Sequence, residues 1–197
     1  MNRMEEITQQ IKVLEKELLR EIQKREEEFY YRIKGKKIIF EEGAKQYQKQ
    51  FFVKVSAYFD SLPLLNILTI PFIWGCLFPA VFMDVTVTLY QVICFTLYNI
   101  PKVKRSEFIV IDRHALAYLN IIEKINCVYC GYFNGLIAYV QEVAARTEQY
   151  WCPIKHARKV TVMHSRYHKF LEYGDCTDYQ ARLEKLRSDF ADLEEER

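Results

Sequence analysis

Leu62 to Ile100 reads LPLLNILTIPFIWGCLFPAVFMDVTVTLYQVICFTLYNI, and its one charged residue is Asp84, near the middle. A membrane-spanning helix needs about 20 apolar residues, so the run has room for roughly two. A soluble helix of that length with no polar face is improbable. Pro63, Pro71 and Pro79 would kink a helix, which a bilayer helix tolerates when neighbours re-satisfy its backbone. Asp84 falls where a hairpin tip would lie, and the lack of polar residues around it demands a tight turn. The stretch therefore predicts a membrane hairpin over 62–101, either crossing fully or re-entrant. The plainer reading is a very hydrophobic pair of buried helices.

The flanks set an orientation. Arg32, Lys34, Lys36, Lys37, Lys45, Lys49 and Lys54 precede the run, and Lys102, Lys104 and Arg105 follow it. Basic flanks stay in the cytoplasm, so both ends are expected there, which needs an even number of crossings. Met1 to Glu28 is charged throughout and has no apolar core of a signal peptide.

The chain has 197 residues, 27% charged and 15% aromatic, with six glycines and five prolines. That suits one domain with appendages and excludes a disordered or collagenous chain. A net charge of +2 gives no single-signed field pointing to nucleic acid. The charge gathers at the two ends. Ile7, Ile11, Leu14, Leu18 and Ile22 recur at steps of four and three, as in a short coiled coil. Tyr179, Leu183, Leu186, Phe190 and Leu193 repeat the pattern, with Thr177 and Gln180 as a capping box and Gly174 closing the helix before it. The two stripes suit pairing with each other, self-association or a protein partner; the plain alternative is packing on their own protein. Gly35 should break the first helix. Ala44, Tyr47, Phe51, Val55, Tyr58 and Phe59 then mark a basic amphipathic helix suited to a membrane interface, the plain alternative being an amphipathic helix on a soluble core.

The fold class expected is all-α, with a membrane-embedded hairpin, a cytoplasmic helical domain and coil-like terminal helices. Its divisions are an N-terminal helix over 1–34, an interfacial helix over 38–61, the hairpin over 62–101 and a Cys/His domain over 102–197.

The chemistry-bearing residues lie between Asp112 and Lys159. Asp112 can cap a helix running to about Ile125. Cys127-Val128-Tyr129-Cys130-Gly131 then reads as a tight turn, and a second helix ends at Trp151-Cys152-Pro153-Ile154-Lys155-His156. Cys127, Cys130, Cys152 and His156 form a candidate zinc site, because C-x2-C on a turn presents two thiolates to one ion. A cytoplasmic location keeps the thiols reduced and favours metal over disulfide. Iron or an iron–sulfur cluster is the alternative. One geometric objection stands against any shared ion: a straight second helix would place Cys152 too far from Cys127 and Cys130. A thiol-redox role for Cys127 and Cys130 lacks a surrounding βαβ pattern. Cys76 and Cys94 read as small residues of the apolar run. Glu123, Glu142, Arg146 and Glu148 read as a solvated face, and no Glu-x-x-His pair supports a di-iron centre. His164 and His168 would stand one helical turn apart, but no zincin glutamate accompanies them.

The block NCVYCGYFNGLIAYVQEVAARTEQYWCPIKHAR, with the later HSRY and FLEYGD, resembles a family of small bacterial membrane-associated proteins over about 102–186. That resemblance implies a bacterial source and the inner membrane. It implies no activity. The functional expectation is a membrane-anchored adaptor or assembly protein stiffened by zinc. Its competitor is a redox or metal enzyme acting on a membrane-associated substrate.

Overall fold

A computed structural model describes residues 3–29, 31–34, 37–60 and 63–195. It is mostly helical, and the chain divides into two compact units.

The first unit comprises Met1–Leu62 and Asp112–Val128. Helix α1 (Arg3–Glu28) is followed by strands β1 (Tyr31–Lys34) and β2 (Lys37–Phe40), which pair antiparallel with Tyr31 opposite Phe40 and Ile33 opposite Ile38. The first helix thus stops short of residue 34. Alternating Tyr31, Ile33, Ile38 and Phe40 favour a pleated ladder, and the Tyr31 and Phe40 rings meet at 5.7 Å. Gly35, expected to break the helix, lies outside the described residues. The single helix expected over 38–61 is also replaced, by β2, α2 (Glu42–Lys49) and α3 (Val55–Asp60). Aromatic and β-branched residues at Phe51, Phe52 and Val53 separate them, where side-chain crowding disfavours a continuous helix.

Asp112 caps no long helix. It precedes a short 3-10 turn at Arg113–Ala115. The long helix α7 (Ile121–Trp151) starts later, behind Asn120. Asn120 Oδ1 accepts from the backbone N–H groups of Ile122 and Glu123, each at 3.0 Å, and Glu123 Oε2 accepts from the Asn120 N–H at 2.9 Å. This reciprocal capping box satisfies orphan donors of the first turn.

The second unit comprises Pro63–Ile111 and Tyr129–Arg197. The apolar run forms α4 (Leu64–Gly75), α5 (Leu77–Tyr90) and a π-helical turn at Gln91–Phe95. Cys76 joins α4 to α5 with helical dihedrals, so Leu65–Phe95 is one helical path of 31 residues. The irregularity at Cys76 follows from Pro79, which cannot donate to the carbonyl four residues back and whose ring crowds it. Asn99, at φ 55°, ends the path, and the Ile100 N–H closes a Schellman bond to Phe95 O at 2.9 Å. The expected hairpin with its tip at Asp84 is therefore not what forms: Asp84 lies inside α5 and is buried.

One face of α5 packs into a core of Ala80, Phe95, Ile100, Val103, Leu136, Tyr139, Val143 and Phe190. Residues Phe108–Val110, at the end of α6 (Arg105–Phe108) and just beyond it, cross α7 at Gly131 and Gly135. A Cβ on Gly135 would stand 2.6 Å from Phe108 O and 2.7 Å from Ile109 Cα, and one on Gly131 would stand 3.1 Å from Val110 O. Backbone cannot yield as a flexible side chain does. Gly135→Ala is expected to cost on the order of 1–3 kcal/mol through overpacking, read as a lower melting temperature; Gly43→Ala, whose Cβ would meet nothing within 4 Å, serves as the control and should not lower it.

The C-terminal stripe packs on its own unit. Leu183 and Phe190 are buried, on and beyond α8 (Tyr179–Arg187), and Leu193 on α9 (Asp192–Glu195) lies against the core. The expected Thr177/Gln180 box does not form; α8 starts behind Asp178, at φ 48°, with no side-chain cap. Gly174, at φ 84°, closes no helix and sits in a turn between Lys169 and Tyr179.

Candidate functional site

The only charged residue of the apolar run is not left alone. Arg105 grips Asp84 with both prongs of its fork, Nε to Oδ1 at 2.9 Å and Nη2 to Oδ2 at 2.6 Å. The Tyr132 hydroxyl donates to Oδ2 at 2.9 Å, and Thr88 reaches Oδ1 at 3.5 Å. One turn further along, Gln91 is 5% exposed. Its Nε2 donates to the Tyr139 hydroxyl at 2.7 Å and to Val103 O at 3.2 Å, and its Oε1 accepts from the Val103 N–H at 3.0 Å. Burying such groups is tolerated because each finds a partner. The network ties α5 to α7 and to the segment 103–105. It contains no nucleophile beside a base, and its carboxylate is held by a guanidinium, so it orients helices and offers no acid–base pair.

The opposite face of the same helix is bare. Phe72, Phe78, Phe82 and Leu97 are 79%, 81%, 74% and 75% exposed.

Cys127, Cys130, Cys152 and His156 are not brought together. No turn forms at CVYCG, because α7 runs unbroken from Ile121 to Trp151. Cys130 and Cys152 lie about 33 Å apart at 1.5 Å per residue, whereas two ligands of one ion stand within about 4 Å. Past α7 the chain turns extended: Pro153 O accepts from the Leu171 N–H and the Lys155 N–H donates to Leu171 O, each at 2.8 Å. Cys152 and His156 therefore lose the helical spacing the sequence suggested, and His156 stacks on Tyr167 at 6.4 Å. Among the described residues, no group of three or more His, Cys, Asp or Glu is placed to hold a metal ion. His164 and His168 do not share a helix either, since only Tyr167–Lys169 forms a short 3-10 turn there.

Sequence reasoning missed a second polar cluster. Arg166, 1% exposed, donates from Nε to Gln149 Oε1 at 2.6 Å and from Nη2 to Asp189 O and Asp192 Oδ1, each at 3.0 Å. Burial would raise the Asp192 pKa, but the bonds from Arg166 and Lys169 outweigh it and hold the carboxyl well below the usual range. Beside this cluster His164 Nε2 stands 3.1 Å from Glu148 Oε2, and Nδ1 accepts from the Arg166 N–H at 3.2 Å. Burial holds the His164 pKa below its ordinary 6.5, although Glu148 pulls the other way. The unfolded chain therefore binds this proton more readily than the folded one. The corresponding stability is full above about pH 6.5 and is lost as pH falls through the lowered value. A melting temperature that falls between pH 7 and pH 5, and falls less in His164→Gln, is the expected result.

No family model, curated protein or solved structure matches this chain.

Proposed function

We propose that the protein is a membrane-associated adaptor or assembly subunit, held at the bilayer by the bare apolar face of the Leu65–Phe95 helix. The observation that carries this reading is that face itself, 31 residues long and lined by Phe72, Phe78 and Phe82, which leave their apolar surface to an apolar surrounding. The helix lies along the interface with Asp84 and Gln91 turned to the protein. Arg105 reaches Asp84 within α5, and beside it Lys104 and Glu107 pair at 3.1 Å with both side chains more than half exposed. A fully crossing helix would carry these charges to hydrocarbon depth, where they are costly. An interfacial helix keeps them in water and leaves both basic flanks on the cytoplasmic side of a bacterial inner membrane. Association runs through α1, whose Ile7, Ile11, Leu14, Leu18 and Ile22 are 43–63% exposed; the C-terminal stripe is already used within its own unit.

Topology and extraction test this together. The chain should stay in the membrane pellet after carbonate washing, and tags at both ends should report the cytoplasm. Release as a monomer would overturn membrane association, and ends on opposite sides would overturn the interfacial placement.

A further inference from the structure

Between Gln149 and Leu171 the sequence has five lysine and arginine residues, three histidines and no acidic residue. Part of that charge is paired inside the second unit. Arg166 and Lys169 hold Asp192, and Lys155 pairs with Glu172 at 2.5 Å. On α7, Glu142 bonds Arg146 and Ser165, and Glu148 faces His164. Arg158 and Lys159 lie in a loop over 157–163, and both are exposed. One ring gathers the two ends of this loop. His156 stacks on Tyr167 at 6.4 Å and its N–H donates to the Tyr167 hydroxyl at 3.0 Å, while the His164 ring meets Tyr167 edge-on at 5.6 Å. A loop closed at its base projects as a unit. Next to the two cations it carries Val162 and Met163, 67% and 68% exposed.

The loop follows the end of α7 that meets the end of the apolar helix. Leu97, 75% exposed, is followed by Tyr98, whose ring stacks on Tyr150 at 5.0 Å and meets Trp151 edge-on at 5.4 Å. Trp151 is itself 52% exposed, so the apolar surface of the helix runs on through Tyr98 to Trp151. Tryptophan and tyrosine favour the level where one side is apolar and the other wet. Cations beside exposed apolar side chains match an interfacial segment, whose apolar groups enter the headgroup–acyl boundary while Lys and Arg meet anionic headgroups. Charge alone would suit any polyanion. A nucleic acid would leave Val162 and Met163 in water, whereas a bilayer covers them. We propose that Trp151 and the loop over 157–163 form a second membrane contact, selective for anionic lipid, with Arg158 and Lys159 at the headgroups and Trp151, Val162 and Met163 at the boundary with the acyl chains. This rests on the membrane reading above and adds to it the lipid class and the end of α7 that touches the bilayer.

Trp74 and Trp151 are the two tryptophans of the chain, so Trp74→Phe leaves Trp151 as the one indole reporter. The full chain with that substitution is mixed with vesicles of phosphatidylcholine, alone or with phosphatidylglycerol. With phosphatidylglycerol present, Trp151 emission should shift to the blue. Lipid brominated near the headgroup should quench it more strongly than lipid brominated near the chain end. Arg158→Gln combined with Lys159→Gln should lower binding to the anionic vesicles by about tenfold or more and leave binding to phosphatidylcholine unchanged. Val162→Ser combined with Met163→Ser should weaken binding to both. All four positions are exposed, so melting should not change. Trp151 emission unmoved in a chain that floats with the vesicles overturns the proposal, as does undiminished anionic binding in the folded double-glutamine variant. A loop-dependent affinity for single-stranded RNA that exceeds the affinity for anionic vesicles overturns it too. Failure of the membrane reading alone looks different: the chain with Phe72, Phe78 and Phe82 all changed to serine binds anionic vesicles as the unaltered chain does, while the loop substitutions still abolish binding.

Discussion

Arg166→Ala is expected to destabilise the second unit by about 3–5 kcal/mol, the usual cost of removing one partner from a buried charged cluster. Its side chain is 2% exposed, its guanidinium lies 5.4 Å above the Phe190 ring, and it ion-pairs with Asp192. Truncation strands Gln149 Oε1, which is fully buried, and removes the main tie on residues 189–192. Gln149 also donates to Leu186 O at 2.9 Å and Asp189 O at 2.7 Å, so the loss spreads along the C-terminal segment. Arg166→Lys should recover little, because an ammonium cannot reproduce the planar fork. By contrast, breaking the exposed Lys24–Glu21 pair should leave the melting temperature nearly unchanged. Thermal melting gives the magnitude, and limited proteolysis should show early cleavage after Leu186. A melt unchanged in Arg166→Ala would mean that the cluster decorates the fold without holding it.

Replacing Phe72, Phe78 and Phe82 together by serine should detach the protein from vesicles without unfolding it. Each side chain is at least 74% exposed, so the folded unit loses little packing. Each loses about 1.5–3 kcal/mol of transfer free energy when it no longer enters hydrocarbon. The three together should lower vesicle partitioning at least about a hundredfold. Phe95→Ser is the contrasting variant. Phe95 is 0% exposed and sits in the core, so its loss should lower the melting temperature by the cavity mechanism, at roughly 3–5 kcal/mol, while the bare face remains. Flotation and melting therefore move in opposite variants. Undiminished flotation of the folded triple variant would remove the apolar face as the anchor.

Several features were legible in the residues alone. The run from Leu62 to Ile100 announces an apolar helix because hydrophobicity is a local property of composition. The stripe of α1 was legible because its period is set by one helix, and its apolar residues are exposed in the folded chain. The basic flanks were equally plain. The objection to the metal site was also contained in the spacing: about 20 residues of helix hold two groups apart whatever their chemistry.

Tertiary structure decided the rest, because it depends on partners distant in sequence. Asp84 looked like a hairpin tip, since nothing nearby could neutralise it. Its partners are Arg105 and Tyr132, brought in by packing, and with them in place the helix continues where a turn was expected. CVYCG looked like a turn because of its glycine and paired cysteines. Gly131 and Gly135 instead serve close backbone approach by residues 108–110, a role that appears only once the crossing chain is known. Arg166 carried no local signal: an arginine among histidines and tyrosines becomes the tie of the C-terminal segment only when Gln149 and Asp192 converge on it. Local pattern fixes where apolar surface is made. Which part of it is covered, and which charge is neutralised, follows from long-range contacts that satisfy buried groups.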